Sequence, residues 1–153
     1  MDAYAIAGLQ PGQIRYLSAP THLGPTSAYG VTFERGTSVS YRDRKHIIIS
    51  GTASINPAGE IVRPGDVARQ MERTFDNIEA LLTGAGATMA DMNHFIVYVR
   101  DPTDHAWIER GVRSRISGAP CQVLLAQVCR PGWLVEIEGM ACVPVDCPDL
   151  PPF

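Results

Sequence analysis

The sequence predicts an α+β domain: one mixed β-sheet with two helices on one face. Three observations predict it. Strand-like and helix-like segments alternate in the order β-β-α-β-α-β-β, two segments carry apolar residues at helical spacing, and the last strand alternates apolar and polar side chains. Two strand-helix-strand units in succession close most economically as a single sheet with both helices packed on the same side.

The elements follow in order. Residues 1–28 are rich in Pro, Gly, Ser and Thr and read as an extended arm, with turns at Gln10-Pro11-Gly12 and Gly24-Pro25-Thr26. Tyr29 to Tyr41 alternates loosely around Val31, Thr32 and Val39, which predicts a strand or two broken at Gly36. Arg42 to Lys45 is a polar turn. Ile47-Ile48-Ile49 reads as a buried strand ending at Ser50-Gly51. After a turn at Asn56-Pro57-Ala58-Gly59, Asp66 is placed to cap a helix. Val67, Met71, Phe75, Ile78, Leu81 and Leu82 form its apolar face, and Gly84 and Gly86 stop it.

Phe95 to Val99 is the next strand. Thr103 is a candidate cap for the second helix, whose stripe is Trp107, Ile108, Val112 and Ile116. Two further strands, Cys121 to Val128 and Trp133 to Val143, are joined at Pro131-Gly132, a pair suited to a type II turn. A two-residue hairpin there sets Val128 opposite Val135, Ala126 opposite Ile137 and Leu124 opposite Gly139 on the helix side. Gln127 and Glu136, and Leu125 and Glu138, then share the other face with Cys121 and Cys129. The tail, 144–153, has four prolines and is expected to be irregular. The organisation is therefore an arm (1–28), a domain (29–143) and a Pro-rich tail.

Composition narrows the function. The 153 residues are 45% hydrophobic and 19% charged, with a formal net charge of -3 and a pI near 5.7. That suits one compact domain and argues against nucleic acid as a partner, since no basic excess attracts phosphates. Met1 to Leu9 has no Lys or Arg ahead of its apolar stretch, and no apolar run approaches the ~20 residues that span a bilayer. A soluble cytoplasmic protein with no membrane association is expected. Cys121, Cys129, Cys142 and Cys147 form no CxxC pair and His22, His46, His94 and His105 show no ligand spacing. No metal is expected, and the thiols are expected to be reduced and mostly buried.

The sheet face away from the helices mixes apolar residues with Glu136 and Glu138. Self-association through it would shield the carboxylates, and shielded carboxylates have raised pKa values and serve as acids or bases. Ordinary exposed strand residues would give the same pattern.

These residues also resemble a known family. Ser50-Gly51 followed by Ile55-Asn56-Pro57 and Gly59-Glu60 is similar to a signature region of the Rid (YjgF) family. So are the helix Thr74-Phe75-Asp76-Asn77-Ile78 with Leu81-Leu82 and Gly84-Ala85-Gly86, the strand end Tyr98-Val99-Arg100-Asp101, Pro120, and the strand Val135-Glu136-Ile137-Glu138. The match runs from about His46 to Val143. The segment Tyr29 to Gly36 and the arm before it are longer than in short members and resemble a Rid-like subgroup and the Rid-like half of chorismatases.

The resemblance implies a chorismate-mutase-like fold, a homotrimer with a central barrel, and ligand clefts between subunits. It implies that Glu136 meets a catalytic water or the substrate and that Ser50 and Gly51 offer backbone groups to it. Aromatic side chains would line the cleft, here Tyr98 with Tyr29 or Tyr41. It implies a small-molecule substrate and no cofactor. One position departs from the pattern: the Arg that follows the Pro of the penultimate strand in imine deaminases is Gln122 here, and a neutral amide cannot replace a bidentate guanidinium. The family's nearby Cys falls on Leu124. The hairpin register even turns Gln122 away from Glu136. Arg130 or Arg100 could supply the cation instead. Two functions follow: an enzyme working on an imine, enamine or enol-type metabolite by hydrolysis, tautomerisation or cyclisation, or a non-catalytic binding module for a small molecule or protein.

Overall fold

The computed structural model describes residues 5–116 and 118–152; the side chain of Tyr29 lies outside that description. Six strands form one mixed sheet in the order β1-β2-β3-β6-β4-β5, with two helices packed on it. The strands are β1 (Ile14–Tyr16), β2 (Gly36–Ser40), β3 (Arg44–Ala53), β4 (Met92–Val99), β5 (Cys121–Leu125) and β6 (Val135–Pro144); the helices are α1 (Val67–Gly84) and α2 (His105–Arg115).

Alternation builds the core. On β6, Val135, Ile137 and Ala141 are fully buried, and on β3 and β4 so are Ile47, Phe95, Val97 and Val99. Against them α1 lays Phe75, Ile78, Leu81 and Leu82, and α2 lays Ile108 and Val112, all in one apolar cluster. Trp107, expected in that stripe, is 42% exposed: it sits one position before the buried Ile108, off the inward face of a short helix. Asp66 caps α1 as expected, accepting from the Arg69 N–H at 3.0 Å. Thr103 does not cap α2; its own N–H and hydroxyl donate to Asp101 at 2.8 and 2.7 Å. All four cysteines are unbridged, and they are less buried than expected, Cys129 being exposed. Among the described residues no helix is long and apolar enough to cross a membrane.

The expected hairpin between the last two strands does not form. β5 pairs with β4 in parallel, Tyr98 beside Leu124 and Val97 beside Val123. β6 inserts between β3 and β4, antiparallel to both. The β4-α2-β5 crossover explains this: a short crossover helix returns the chain beside the strand it left, in parallel. That fills one edge of β4 and leaves the other for β6. The strands are accordingly shorter than predicted, and residues 126–134 form a loop around Pro131-Gly132. The β5 faces are exchanged as well: Cys121, Val123 and Leu125 register with the buried Phe95, Val97 and Val99, whereas Gln122 and Leu124 lie on the open face beside Ile96 and Tyr98. Gln122 therefore shares the sheet face of Glu136 and Glu138, contrary to the hairpin register.

Ser50-Gly51, read as the end of a strand, is a bulge within β3. Ile49 pairs with Gly139 and Thr52 with Ile137, so β3 spends one extra residue here.

Candidate active site

Glu136 is near the start of β6, in the middle of the sheet, registered with Ala53 on β3 and Tyr98 on β4. Its carboxyl lies over the β3 bulge: a Cβ built on Gly51 would collide with Glu136 Oε1 and stand 3.2 Å from its Cδ. Only glycine leaves that space. Glu136 is half-buried, and burial pushes its carboxyl above the usual carboxylate range; the charge of Glu138, two residues on, adds to the rise.

This carboxyl opens into a cleft of about 340 Å³. Ser50, Gly51, Ala53 and Ile55 form the β3 side, Cys129, Arg130 and Trp133 come from the 126–134 loop, and Val31, Phe33 and Arg35 come from the segment before β2. Buried polar residues of α1 hold these walls. Asn77 Nδ2 donates to the carbonyls of Ala53 (3.0 Å) and Ile55 (3.2 Å). Gln70 donates to Gly132 O at 3.0 Å and accepts from Leu134 N–H at 3.0 Å, gripping both neighbours of Trp133. The Ser50 hydroxyl donates to Glu34 O at 2.7 Å and its N–H to Arg35 O at 3.2 Å, tying the third wall to the bulge.

The structure thus brings Glu136, Ser50, Gly51 and Arg130 into one cleft. The Arg130 guanidinium stacks 5.1 Å from the Trp133 ring centroid and donates to Gly59 O at 3.4 Å. Arg100 is not a cleft residue. Its Nε donates to Trp133 O at 2.8 Å and its Nη2 to Val128 O (2.6 Å) and Arg130 O (2.8 Å), so it clamps the loop from beneath. Tyr98 stands one step from the cleft and donates its hydroxyl to Glu138 Oε1 at 2.6 Å. Tyr41 is buried with its ring 5.2 Å from His46, away from the cleft. Gln122 is exposed on β5 and lines a different hollow, beside Pro120 and Cys121. Sequence reasoning did not assign Phe33 and Arg35 to the site: the strand expected across Tyr29 to Tyr41 forms only over Gly36–Ser40, and residues 31–35 run irregularly along the cleft; Cys129, expected on the sheet face of Glu136, enters from the 126–134 loop. Among the described residues no cluster of His, Cys, Asp and Glu could hold a metal ion.

Residues 37–143 match the family model described as endoribonuclease L-PSP. A chorismatase of Streptomyces rapamycinicus is 35% identical over 134 residues, covering 79% of this chain and 39% of that protein. A 3-hydroxybenzoate synthase of Streptomyces hygroscopicus is 29% identical over 144 residues, covering 85% of this chain and 41% of that one. The chain thus spans about two fifths of the length of these curated relatives. The 2-iminobutanoate/2-iminopropanoate deaminase of Escherichia coli K12 is 38% identical over 63 residues, 40% of this chain and 48% of that protein. Among solved structures, a chorismatase superposes with a TM-score of 0.75 at 30% identity, covering 85% of this chain and 44% of that one. RidA from an Antarctic Psychrobacter superposes at 0.71 and 20% identity, covering 84% and 99%.

Proposed function

Since the chain belongs to the endoribonuclease L-PSP family, the Rid (YjgF) proteins, we propose that it is an enzyme that works without a cofactor on a small imine, enamine or enol-type metabolite, by acid–base chemistry at Glu136. One observation carries this reading: a half-buried carboxyl with a raised pKa, seated on Gly51 and opening into a cleft. With its pKa raised by burial, such a carboxyl is a better proton donor than an exposed one and gives its proton to an enol or enamine carbon. The cation so formed takes up water, and the carboxylate accepts the water's proton, which restores the acid. The relatives named chorismatase and imine deaminase accord with substrates of this kind.

The site is proposed to lie at subunit interfaces of a cytoplasmic homotrimer. The open sheet face supports this, because Ile48, Ile96 and Met140 alternate there with His46, His94 and Glu138 around a hollow of about 700 Å³, a surface more apolar than water-facing strands carry. Interface assembly would also bring Tyr98 and Gln122 of neighbouring copies toward a cleft that they do not line within one chain.

The test follows turnover of chorismate and, separately, of 2-iminobutanoate made in place by an amino-acid oxidase, for wild type and Glu136→Gln. Acceleration of either substrate, with kcat reduced about 100-fold or more in Glu136→Gln, is the expected result. If neither is accelerated over buffer, the enzymatic reading falls and Gln122, standing where imine deaminases carry Arg, favours the binding module.

A further inference from the structure

The open sheet face carries a second carboxylate beside the reacting one, and the fold gives it a fixed place. Glu136 and Glu138 stand two residues apart on the same face of β6, and Tyr98 on β4 is in register with Glu136. From there the Tyr98 hydroxyl reaches past its own cross-strand partner and donates to Glu138 Oε1 at 2.6 Å. We propose that Tyr98 is a positioning residue for the acid: by holding the Glu138 carboxylate beside Glu136, it helps Glu136 keep its proton until the substrate takes it. The proposal rests on the reading of Glu136 as the acid and adds the pair of residues that tunes it.

The register separates the work of the hydroxyl from that of the ring. The ring stands beside Glu136 across the two strands, and phenylalanine would fill the same place. The hydroxyl serves the other carboxylate. Its bond to Glu138 lies in the short range of charge-assisted bonds and restrains a side chain that would otherwise extend into water. Both residues are partly buried, so solvent screens the neighbouring charges less than it would on an open surface. A carboxylate fixed there opposes a second negative charge, and after burial that is the cause of the rise at Glu136. Other groups face the pair. Arg35, Arg130 and Cys129 line the Glu136 cleft from its other walls, and His46 and His94 share the hollow beside Glu138. On β3 the neighbours are Ser50, Gly51 and Ala53, which carry no charge. None of these changes in the variants below, so differences among those variants report on the tether.

The experiment titrates the Glu136 carboxyl carbon by NMR in the full chain made with isotope-labelled glutamate, the signal being assigned by its absence from Glu136→Gln. Glu138→Gln is expected to move the midpoint to lower pH, because the opposing charge is gone while the burial stays. Tyr98→Phe is expected to move it the same way but less far, as the released carboxylate swings out into water. Tyr98→Phe made in the Glu138→Gln background is expected to add nothing, because the hydroxyl acts through the carboxylate. An unmoved or raised midpoint in either single variant overturns the proposal, and so does a Tyr98→Phe shift that persists in the Glu138→Gln background. A merely structural role would lower Tm and leave the midpoints in place. If Tyr98→Phe does not fold, Glu138→Asp replaces it: the shorter side chain gives up the bond, and an unmoved midpoint there refutes the tether. No substrate enters the titration, so absent turnover overturns the enzymatic reading and leaves the tether tested. Where turnover is found, the fall of kcat at high pH should follow the same order of variants with KM unchanged. A raised KM in Tyr98→Phe alone would put the hydroxyl on the substrate and overturn the proposal.

Discussion

Gly51→Ala should displace Glu136 and little else. The Gly51 backbone lies outside the left-handed region, so alanine adds no dihedral strain. Its Cβ would collide with Glu136 Oε1 and press on Cδ at 3.2 Å and Cγ at 3.6 Å. The yielding group is the far end of a flexible side chain, so the cost sits at the low end of the range for overpacking, about 1 kcal/mol, or about 2–4 °C in Tm for a chain this long. Turnover should suffer far more. A carboxyl moved by about 1 Å from its working position loses about 100-fold in rate.

The same variant has a pH signature that needs no substrate. The folded-state pKa of Glu136 is raised by burial, so the wild-type fold has its full stability from this group below the unfolded Glu value and loses some as pH rises through the folded value. In Gly51→Ala the expelled carboxylate reaches water and that loss disappears. The variant should therefore trail wild type by more at pH 4, where the carboxyl is mostly protonated in both, than at pH 8. Thermal melts at the two pH values measure it. A deficit unchanged with pH, together with turnover within about threefold of wild type, would refute the placement of Glu136 on Gly51.

Two further outcomes are expected. Glu136→Gln removes the ionisation and keeps the shape; it should raise the Tm relative to wild type at pH 8 and by less at pH 4, and a lower Tm at pH 8 would mean that the carboxylate has a favourable partner instead. Arg100→Met leaves the carbonyls of Val128, Arg130 and Trp133 without their donor, which should cost about 2–4 kcal/mol and shift tryptophan emission to the red as the loop around Trp133 loosens; an unchanged spectrum and Tm would show that the loop holds itself.

The class of fold and the side of the sheet on which Glu136 stands were legible from local patterns. Asp66 capping α1, the apolar face of that helix and the strict alternation of Val135 to Val143 are all decided within a few residues. Strand neighbours were not, because pairing is decided by what the other strands leave open. Pro131-Gly132 reads as a tight turn, and it does lie in the loop, yet β5 had already found its partner in β4. The structure leaves both Leu124 and Leu125 exposed on β5, as suits a strand at the edge of the sheet and not one beside β6. Arg35 and Phe33 were invisible for a different reason. They belong to no regular element of the structure, and the burial of Arg35 comes from the arm, whose Gly24 carbonyl its guanidinium reaches.

The misplaced hairpin matters to the chemistry. Had β6 paired with β5, Glu136 would stand beside Gln127 next to a short edge strand, where water reaches a carboxyl from the outer side and little raises its pKa. Inserted between β3 and β4, the same residue has Ala53 on one flank and Tyr98 on the other. The bulge at Ser50-Gly51 then bends β3 and presents a residue without a side chain, so the carboxyl can settle onto backbone and out of water. Glu138 is two residues away on the same face, near enough to oppose a second negative charge and held there by the Tyr98 hydroxyl. A Glu-x-Glu strand is common on any half-exposed sheet. What makes one of its carboxyls a usable acid is the strand order, which buries it, and the bulge, which gives it a seat.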